Sequence, residues 1–262
     1  MEKEQYEILY RLEESHWWYL GMRRIVDSTI TKYLDLSKSY RILDAGCGTG
    51  GMMQHLRRFG TVTGIDIADE ALNHCRRREL ARLARGSVEY LPFATNSFDL
   101  LVSFDVIYHR AVSNDLLALS EFLRVLSPGG MLVLRVPAYN WLRGSHDVAV
   151  HTHRRYSRPE LGRKLLEAGF VIQKLTYANC LLFPVAALKR LIEGTGRPLR
   201  PDLDLPSPLI NRTLLAVLDL EAALLKSVSF PWGLSVLAVA KKAVGHQSLT
   251  ATQPARDTDY HG

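Results

Sequence analysis

Residues 41–51, Arg-Ile-Leu-Asp-Ala-Gly-Cys-Gly-Thr-Gly-Gly, have the composition of a ligand-binding turn. Apolar residues end a predicted strand before the turn, and the apolar residues after it recur at helical spacing. Glycines allow the backbone to turn tightly and to approach a ligand that a Cβ atom would keep away. A strand, a glycine-rich turn and a helix in this order predict a corner that binds a phosphate or a nucleotide-like ligand.

One interpretation of this corner is a dinucleotide site. Gly46, Gly48 and Gly51 match the spacing G-x-G-x-x-G. Asp66 follows about 20 residues after the turn, where an acid that binds a ribose is expected. These residues alone would indicate NAD and an NAD-dependent oxidoreductase. A glycine turn that binds no ligand is a further alternative.

The acid before the turn favours a different cofactor. Asp44 with Gly46, Gly48 and Gly50 gives D-x-G-x-G-x-G, which resembles motif I of the class I methyltransferases that use S-adenosylmethionine (SAM). The carboxylate of Asp44 would repel a pyrophosphate at short range. SAM carries a sulfonium and an ammonium group and no phosphate, so a carboxylate suits it. The sequence therefore predicts SAM rather than NAD.

Chemistry-bearing side chains cluster after the predicted fourth and fifth strands, whose ends meet at one edge of a parallel sheet. Methyl transfer needs a nucleophile held in line, and it needs a base only if the acceptor must lose a proton. We predict His109 as that base. The following loop, rich in His and Arg, is predicted to hold an anionic acceptor such as a carboxylate or a phosphate-bearing carrier. The catalytic candidates are Asp105, Tyr108, His109 and His153, and the acceptor-binding candidates are Tyr139, His146, His151, Arg154, Arg155 and Tyr156.

The same loop has residue types that bind metals. His146, Asp147, His151 and His153 have part of the spacing of metal ligands. No firm metal motif surrounds them, so no metal is predicted. Each histidine also has a plainer alternative as a hydrogen-bonding residue of the surface or the core.

Strands that alternate with helices must position these residues, which predicts an α/β fold with a doubly wound parallel sheet. Right-handed crossovers then place the ligand-binding strand ends at one edge. A capping box from Ser157 to Glu160 starts one helix, and Gly169 ends it. The strands are predicted at 40–44, 61–66, 87–91, 100–104, 131–136, 170–177 and 234–240, and the helices at 51–59, 69–84, 116–126, 158–168, 184–193 and 208–227.

With these elements placed, the middle of the chain resembles the broad small-molecule group of class I SAM-dependent methyltransferases, which includes the ubiquinone and menaquinone biosynthesis enzymes. The resemblance implies a Rossmann-like, seven-stranded sheet whose last strand, 232–241, is antiparallel and lies beside the sixth. The stretches that carry it, in the order of the family, are 42–51, 64–66, 91–93 with 98–99, and 125–130.

The resemblance assigns a role to each matching residue. Ile67 would lie beside the adenine, and Phe104 and Asp105 beside the methyl group that is transferred. Ser87 and Val88 stand where the group often has an Asp-Ala pair at the adenine amine, so that contact would carry less charge. The glycine turn would bind the methionine end of SAM, and the acid at the end of the second strand would bind the ribose. The SAM-binding residues that the resemblance implies are Asp44, Gly46, Cys47, Gly48, Gly50, Asp66, Ile67, Ser87, Val88 and Phe104.

An aromatic, amphipathic segment precedes the first strand. Residues 1–38 are predicted to form a helical lid over the glycine turn, and Trp18 and Tyr19 to shield the sulfonium through cation–π contacts. If the segment only packs on the core, these aromatic residues have no role in binding.

Residues 179–229 are predicted to form a helical insert that covers the acceptor. Residues 1–243 are predicted to form one domain, and the polar, aperiodic residues 244–262 are predicted to be disordered.

The chain has 262 residues, a formal net charge of +6 and 47% hydrophobic residues, which suits one domain with a core large enough to fold alone. The three cysteines form no C-x-x-C pair and the N-terminus has no apolar signal core, so a cytoplasmic location is expected. No apolar run reaches membrane-spanning length. The basic residues suit an acidic substrate or, less well, a membrane surface, although the run from Arg76 to Arg78 is interpreted as a solvated helix face. No nucleic-acid-binding module is evident.

Together these patterns predict a SAM-dependent methyltransferase that acts on an oxygen, either a hydroxyl or a carboxylate, of a small-molecule, peptide or carrier-linked acceptor. The alternatives are an NAD-dependent oxidoreductase and a non-catalytic SAM-binding module. The sequence does not indicate an oligomeric state.

Overall fold

The computed structural model describes residues 3–144, 147, 151–193 and 205–244. The tail that is predicted to be disordered lies, apart from Val244, outside the described residues. In the described part of the chain, no helix is both long and apolar enough to cross a membrane.

Seven strands form one sheet, and their bounds are β1 (Tyr40–Ala45), β2 (Gly60–Asp66), β3 (Leu83–Arg85), β4 (Phe98–Phe104), β5 (Leu126–Pro137), β6 (Phe170–Ala178) and β7 (Ser235–Lys242). Their order across the sheet is β3-β2-β1-β4-β5-β7-β6. The first five strands pair in parallel, and β7 lies antiparallel between β5 and β6. This confirms the predicted α/β fold and its antiparallel last strand.

Eight helices are described, with bounds α1 (Lys3–Leu12), α2 (Trp17–Ile30), α3 (Gly51–Leu56), α4 (Asp69–Arg77), α5 (Asp115–Val125), α6 (Arg158–Glu167), α7 (Phe183–Glu193) and α8 (Pro208–Leu225). The core has two halves, one on each face of the sheet. Successive residues of β4 point to opposite faces, so Leu100 packs with α2 and α8, whereas Leu101 packs with α5 and α6. The second N-terminal helix, α2, therefore belongs to the same layer as α8.

The contact between α2 and α8 is unusually close at one residue. A Cβ atom on Gly21 would lie 2.2 Å from the side chain of Leu218, so a larger residue has no room there. Asn211 of α8 also bridges to the start of α2. Its Oδ1 accepts the N–H of Trp17 at 2.9 Å, and its Nδ2 donates to the carbonyl of Ser15 at 2.9 Å. The N-terminal helices and the insert are thus joined directly.

The predicted third strand, 87–91, is wrong. Helix α4 ends at Arg77, before the left-handed backbone of Glu79 with φ +58°, and this frees Leu83–Arg85 to pair with β2. Beyond β3 the chain turns, and the Oγ of Ser87 accepts the N–H of Glu89 at 3.1 Å. The single helix predicted for residues 69–84 is instead a helix, a turn and the start of a short strand.

The capping box at the start of α6 is confirmed. The Oγ of Ser157 accepts the N–H of Glu160 at 3.3 Å, and the Glu160 carboxylate accepts the N–H of Ser157. Such a box satisfies two of the N–H groups that a helix leaves without partners at its N-terminus.

Candidate active site

A cavity of about 630 Å³ lies among the described residues at the carboxyl edge of the sheet, under the N-terminal helices. Its volume is within the roughly 300–1,000 Å³ that is typical of small-molecule sites. It lies where the strand order reverses between β1 and β4, the place at which doubly wound sheets bind ligands. We call the part formed by residues 44, 46–49, 66–67 and 86–88 the β2 end, and the part formed by residues 104–106, 108–109, 111–112, 135, 137, 147, 152 and 155 the β5 end.

The turn after β1 has the backbone that its glycines predict. The φ angles of Gly46, Gly48 and Gly50 are +84°, +53° and +85°, in the region that side chains other than glycine rarely adopt. A Cβ atom on Gly46 would lie 2.2 Å from Val106. The N–H of Gly48 donates to Asp66 Oδ2 at 2.9 Å, so the acid at the end of β2 holds the turn in place. Gly50 starts α3 behind the cavity wall.

Asp44 is a buried carboxylate that receives no hydrogen bond from the described part of the chain. It is 2% exposed, it lines the cavity, and its Oδ2 has no partner. Burial, together with the charges of Asp66 and Glu13, raises the pKa of Asp44 to about 8. A buried charge without a partner is strongly unfavourable. The arrangement therefore suits a ligand that brings positive charge to this point.

The other residues that the sequence predicted for the cofactor gather at the β2 end. Asp66 keeps both oxygens engaged, because Oδ1 accepts the N–H of Ala68 at 3.0 Å, and burial raises its pKa. Ile67 lies at the rim with 51% of its surface exposed. The predicted residues that line this end are Asp44, Gly46, Cys47, Gly48, Asp66, Ile67, Ser87 and Val88.

The N-terminal helices cover the cavity. Tyr6 of α1 and Trp17, Trp18 and Tyr19 of α2 line it. Burial, with the nearby charge of Glu13, raises the pKa of Tyr19 to about 12, so its phenol stays neutral. These aromatic side chains lie at the cavity, as the lid that we propose requires.

Arg78 connects this lid to the glycine turn. Its side chain is 8% exposed, and it donates to the carbonyl of Thr49 at 3.0 Å, to the carbonyl of Tyr10 at 3.2 Å and to Glu13 at 2.5 Å. The hydroxyl of Thr49 also donates to Glu13, at 2.6 Å. The interpretation of the basic run as a solvated face is therefore wrong for Arg78, because α1 packs over α4 and buries it.

We expect Arg78→Met to loosen the lid. Losing the charge-assisted bonds leaves the buried Glu13 without its hydrogen-bonded arginine, so the backbone amides of α1 should exchange with solvent at least about tenfold faster. Hydrogen–deuterium exchange resolved by mass spectrometry measures this. The matched control is Arg76→Met, since Arg76 is exposed and, among the described residues, hydrogen-bonds only Asn73. Unchanged exchange of α1 in the Arg78 variant would contradict the assignment.

Two arginine–aspartate pairs lie at the β5 end. Asp105 follows β4 with φ +57°, and Arg135 of β5 donates to it through Nε at 3.1 Å and through Nη2. Arg155 binds Asp147 with two hydrogen bonds of 2.8 and 3.0 Å. Sequence reasoning missed Arg135, although a single charge inside the apolar run of β5 was a signal for it. The predicted residues that line this end are Phe104, Asp105, Tyr108, His109 and Arg155.

His109 lies at this end in a specific hydrogen-bonding state. Its Nδ1 accepts the N–H of Ala111 at 3.0 Å. Burial, with the neighbouring ring of His151, lowers the pKa of His109 to about 4. The ring is therefore neutral at pH 7 with its proton on Nε2, from which it can donate a hydrogen bond but has no lone pair to accept a proton.

The structure does not bring to the cavity the remaining predicted acceptor-binding and catalytic residues that it describes. Tyr156 is fully buried, and its hydroxyl donates to Asp115 at 2.8 Å. Arg154 donates to the same carboxylate at 2.7 Å. Tyr139 stacks on Tyr177 with ring centroids 5.1 Å apart. His151 and His153 lie outside the lining, His146 lies outside the described residues, and no metal-binding group of three or more His, Cys, Asp or Glu is found in the part of the chain that is described.

Comparison with known proteins identifies the fold and its chemistry. A family described as a methyltransferase domain matches residues 43–134. The malonyl-acyl-carrier-protein O-methyltransferase of Enterobacter lignolyticus is 30% identical over 186 residues, which are 66% of this chain and 71% of that protein. The enzyme of the same name from Erwinia billingiae is 34% identical over 125 residues, 47% of this chain and 49% of that protein. The match to the Erwinia protein thus spans about half of that relative's length.

Solved structures agree on the fold. A SAM-dependent methyltransferase from Thermotoga maritima aligns with a TM-score of 0.55 at 17% identity, over 91% of this chain and 95% of that one. Phosphoethanolamine N-methyltransferase 2 of Haemonchus contortus, in complex with SAM, aligns with a TM-score of 0.52 at 20% identity, over 82% of this chain and 51% of that one.

These findings decide between the two cofactors that the glycine turn allows. SAM is the cofactor, and the alternative of an NAD-dependent oxidoreductase is set aside. The residues present fit SAM, because the unpartnered carboxylate of Asp44 suits a cationic ligand and would oppose a pyrophosphate. The family match, the relative that is 30% identical over most of its length, and the seven-stranded sheet lead to one conclusion. The chain belongs to the class I SAM-dependent methyltransferases.

Proposed function

We propose that this enzyme transfers the methyl group of SAM to a carboxylate oxygen of its acceptor, which is a small molecule or an acyl group on a carrier. Two relatives are named for O-methylation of a malonyl group on an acyl carrier protein. Those names support oxygen as the receiving atom. The choice of a carboxylate over a hydroxyl rests on the β5 end of the cavity.

The hydrogen bond between Ala111 and His109 carries this choice. A hydroxyl acceptor must lose a proton, which requires a base within reach. The Nδ1 of His109 is occupied by the N–H of Ala111, and its Nε2 carries the proton. A carboxylate is already ionised at neutral pH, so it needs only to be oriented. The predicted role of His109 as the base is therefore replaced in our proposal by a role as a hydrogen-bond donor.

The other ionisable groups at the β5 end are also unsuited to act as a base. Burial acts to raise the pKa of Asp147, but the hydrogen bonds and charge of Arg155 outweigh it and lower the value. Asp105 is held by Arg135. Burial raises the pKa of Tyr108, so its phenol keeps its proton. The state of these three groups supports an acceptor that is already ionised when it binds.

When bound, SAM supplies an electrophilic methyl carbon on a positively charged sulfur. The residues of the β5 end hold the acceptor oxygen in line, about 3–3.5 Å from that carbon. The acceptor carboxylate forms the new O–C bond with its own electron pair, and the pair of the broken S–C bond stays on sulfur. An anion and a cation thereby become a neutral ester and a neutral thioether, with no proton transferred. Trp18 and Tyr19 exclude water, which favours a step that removes charge.

We also propose the cytoplasm as the location of the enzyme. Cys47, Cys75 and Cys180 are free, buried thiols, which is the state that a reducing compartment maintains.

The proposed function is tested by offering the enzyme a panel of acceptors with SAM. The panel contains malonyl-pantetheine, a monocarboxylate, a phenol and an amine, and mass spectrometry detects the added methyl group. We expect a methyl ester on malonyl-pantetheine, identified by the methanol that mild alkali releases from it. Methylation of the phenol or the amine without any ester would contradict the proposal.

The assignment of His109 is tested by His109→Asn, in which the new amide oxygen can still accept the N–H of Ala111. Because one neutral hydrogen bond is lost, we expect kcat for malonyl-pantetheine to fall by no more than about tenfold. We also expect the pH–rate profiles of the two enzymes to be parallel between about pH 5 and pH 9. A base at this position would instead contribute roughly 10²–10⁴-fold, and a loss of that size would restore the original interpretation.

A further inference from the structure

We propose that Arg135 is the binding site for the acceptor carboxylate and that Asp105 is the residue that positions it. This inference rests on the proposed function and names the side chain that recognises the acceptor. Arg135 is 8% exposed and borders the cavity, and its Nη1 is buried without a hydrogen-bond partner.

The geometry of the pair leaves one nitrogen of the guanidinium without a partner. Nε and Nη2 both donate to the same oxygen of Asp105. Nη1 lies on the far side of the planar group and is shut off from water as well as from protein acceptors. A buried donor without a partner is unfavourable by about 1–3 kcal/mol, more if it is charged. An anionic oxygen brought by a ligand would remove that penalty.

The other described arginines that line the cavity have no buried donor without a hydrogen-bond partner. Arg155 donates through Nε and Nη2 to Asp147, and its Nη1 donates to the carbonyl of Ala138 at 3.0 Å. Arg23 forms two hydrogen bonds of 2.8 Å with Glu14. Among the arginines in the described lining, Arg135 is thus the one with a buried donor that has no partner.

The position of Arg135 in the chain is difficult to explain by stability alone. Its neighbours in β5, Leu134 and Val136, are completely buried, and burying a charge among such residues is unfavourable. Asp105 neutralises the charge, and its N–H donates to the carbonyl of Arg135 at 2.9 Å, so the pair is fixed by its backbone as well as its side chains. A pair built only for stability would have no reason to leave Nη1 without a partner.

The charges support an anionic acceptor at this point. Arg135 and Asp105 cancel each other, so an acceptor carboxylate is balanced by the sulfonium of SAM. After transfer the acceptor is a neutral ester, so its hydrogen bond to Arg135 no longer joins two opposite charges and is weaker. The site would therefore hold the substrate more tightly than the product.

Malonate is the probe for the test. Calorimetry measures its binding to the enzyme saturated with sinefungin, a SAM analogue whose protonated amine replaces the sulfonium charge, for the wild type and for Arg135→Met. We expect Arg135→Met to weaken malonate binding by at least about tenfold, the loss of one charge-assisted hydrogen bond. Binding of sinefungin should change less than about twofold, because the proposed site contacts the acceptor.

Three further variants make the test specific. Asp105→Asn combined with Arg135→Met removes both charges, and asparagine tolerates the φ of +57° at position 105, so this protein keeps its fold and should also bind malonate weakly. Arg135→Lys keeps the charge but cannot engage Asp105 and a carboxylate with one planar group, so it should restore binding only in part. Arg163→Met removes an exposed charge that pairs with Glu167 and should leave malonate binding unchanged.

Each contrary result has its own meaning. Failure of the wild type to bind malonate, or equal binding by Arg135→Met, would overturn the inference. Loss of sinefungin binding in Arg135→Met would assign the arginine to the cofactor and would overturn it as well. Methyl esters formed normally by a variant that lacks Arg135 would overturn this inference alone, whereas methylation of a phenol without ester formation would overturn the proposed function.

Discussion

Replacing Asp44 with asparagine should weaken SAM binding by about 100- to 1,000-fold, the effect of removing one partner from a buried charge pair. The same variant should raise the melting temperature of the ligand-free protein, because it removes a buried carboxylate that has no donor among the described residues. Calorimetry with SAM and thermal unfolding without it measure the two effects. Their opposite signs exclude misfolding as the cause of the lost binding. A variant that binds SAM like the wild type would contradict the site.

The pKa of Asp44 adds a pH dependence with a definite sign. Its folded-state value of about 8 lies above its ordinary value of 3.8, so the ligand-free protein should lose stability as the pH rises from about 4 to 8. A cationic ligand favours the ionised carboxylate. SAM binding should therefore tighten by up to about tenfold per pH unit until pH 8 and then level off.

Asp44→Asn is the control for this profile. The amino group of SAM titrates with either protein, so the difference between the two slopes isolates Asp44. Equal slopes for the wild type and the variant would contradict the assignment of the raised pKa to this residue.

Asp115→Ala should lower the free energy of unfolding by about 3–5 kcal/mol, since it leaves several buried donors without an acceptor. Asp115 is 4% exposed and accepts hydrogen bonds from Lys164 at 2.9 Å, Tyr156 at 2.8 Å and Arg154 at 2.7 Å. Burial acts to raise its pKa, but its hydrogen bonds to Lys164 and Tyr156 and the charge of Arg154 outweigh it and lower the value. The contribution of Asp115 is therefore present above about pH 4 and is lost as the solution becomes more acidic.

Denaturant unfolding of the wild type, Asp115→Ala and Arg154→Met tests whether Asp115 stabilises the fold. Arg154→Met removes the most exposed donor, whose side chain is 32% exposed, and should lower the free energy of unfolding by no more than about 1 kcal/mol. Asp115→Ala should lie well below both this control and the wild type. A loss of less than about 1 kcal/mol for Asp115→Ala would show that the network does not stabilise the fold.

The fold was predictable because its signals are local. Apolar runs of strand length, a glycine turn and a capping box each act within a few residues, and the structure contains all of them. The third strand was misplaced because Leu83–Arg85 is short and has no apolar run of its own. Pairing with β2, which is a contact distant in sequence, decides that it is a strand.

The candidate site was predictable at one end and not at the other. The β2 end is built from a turn and a strand end that residue types indicate in the sequence. Gly46 indicates a tight turn, and Asp66 is an acid at the end of a strand. At the β5 end, what matters is the partner of each side chain, and those partners lie far away in the sequence. Arg155 lines the cavity while its neighbour Arg154 turns away to Asp115, a difference that no pattern of adjacent residues contains.

The bridge from Asn211 to the start of α2, with the close contact at Gly21, has a kinetic consequence. The helix that places Trp18 and Tyr19 at the cavity is fastened to α8, and α7 places Ala186 at the cavity wall. The two segments that we propose as covers should therefore move together, so that neither substrate exchanges while the other is enclosed. Steady-state kinetics should show a compulsory order in which SAM is first to enter and the spent cofactor is last to leave.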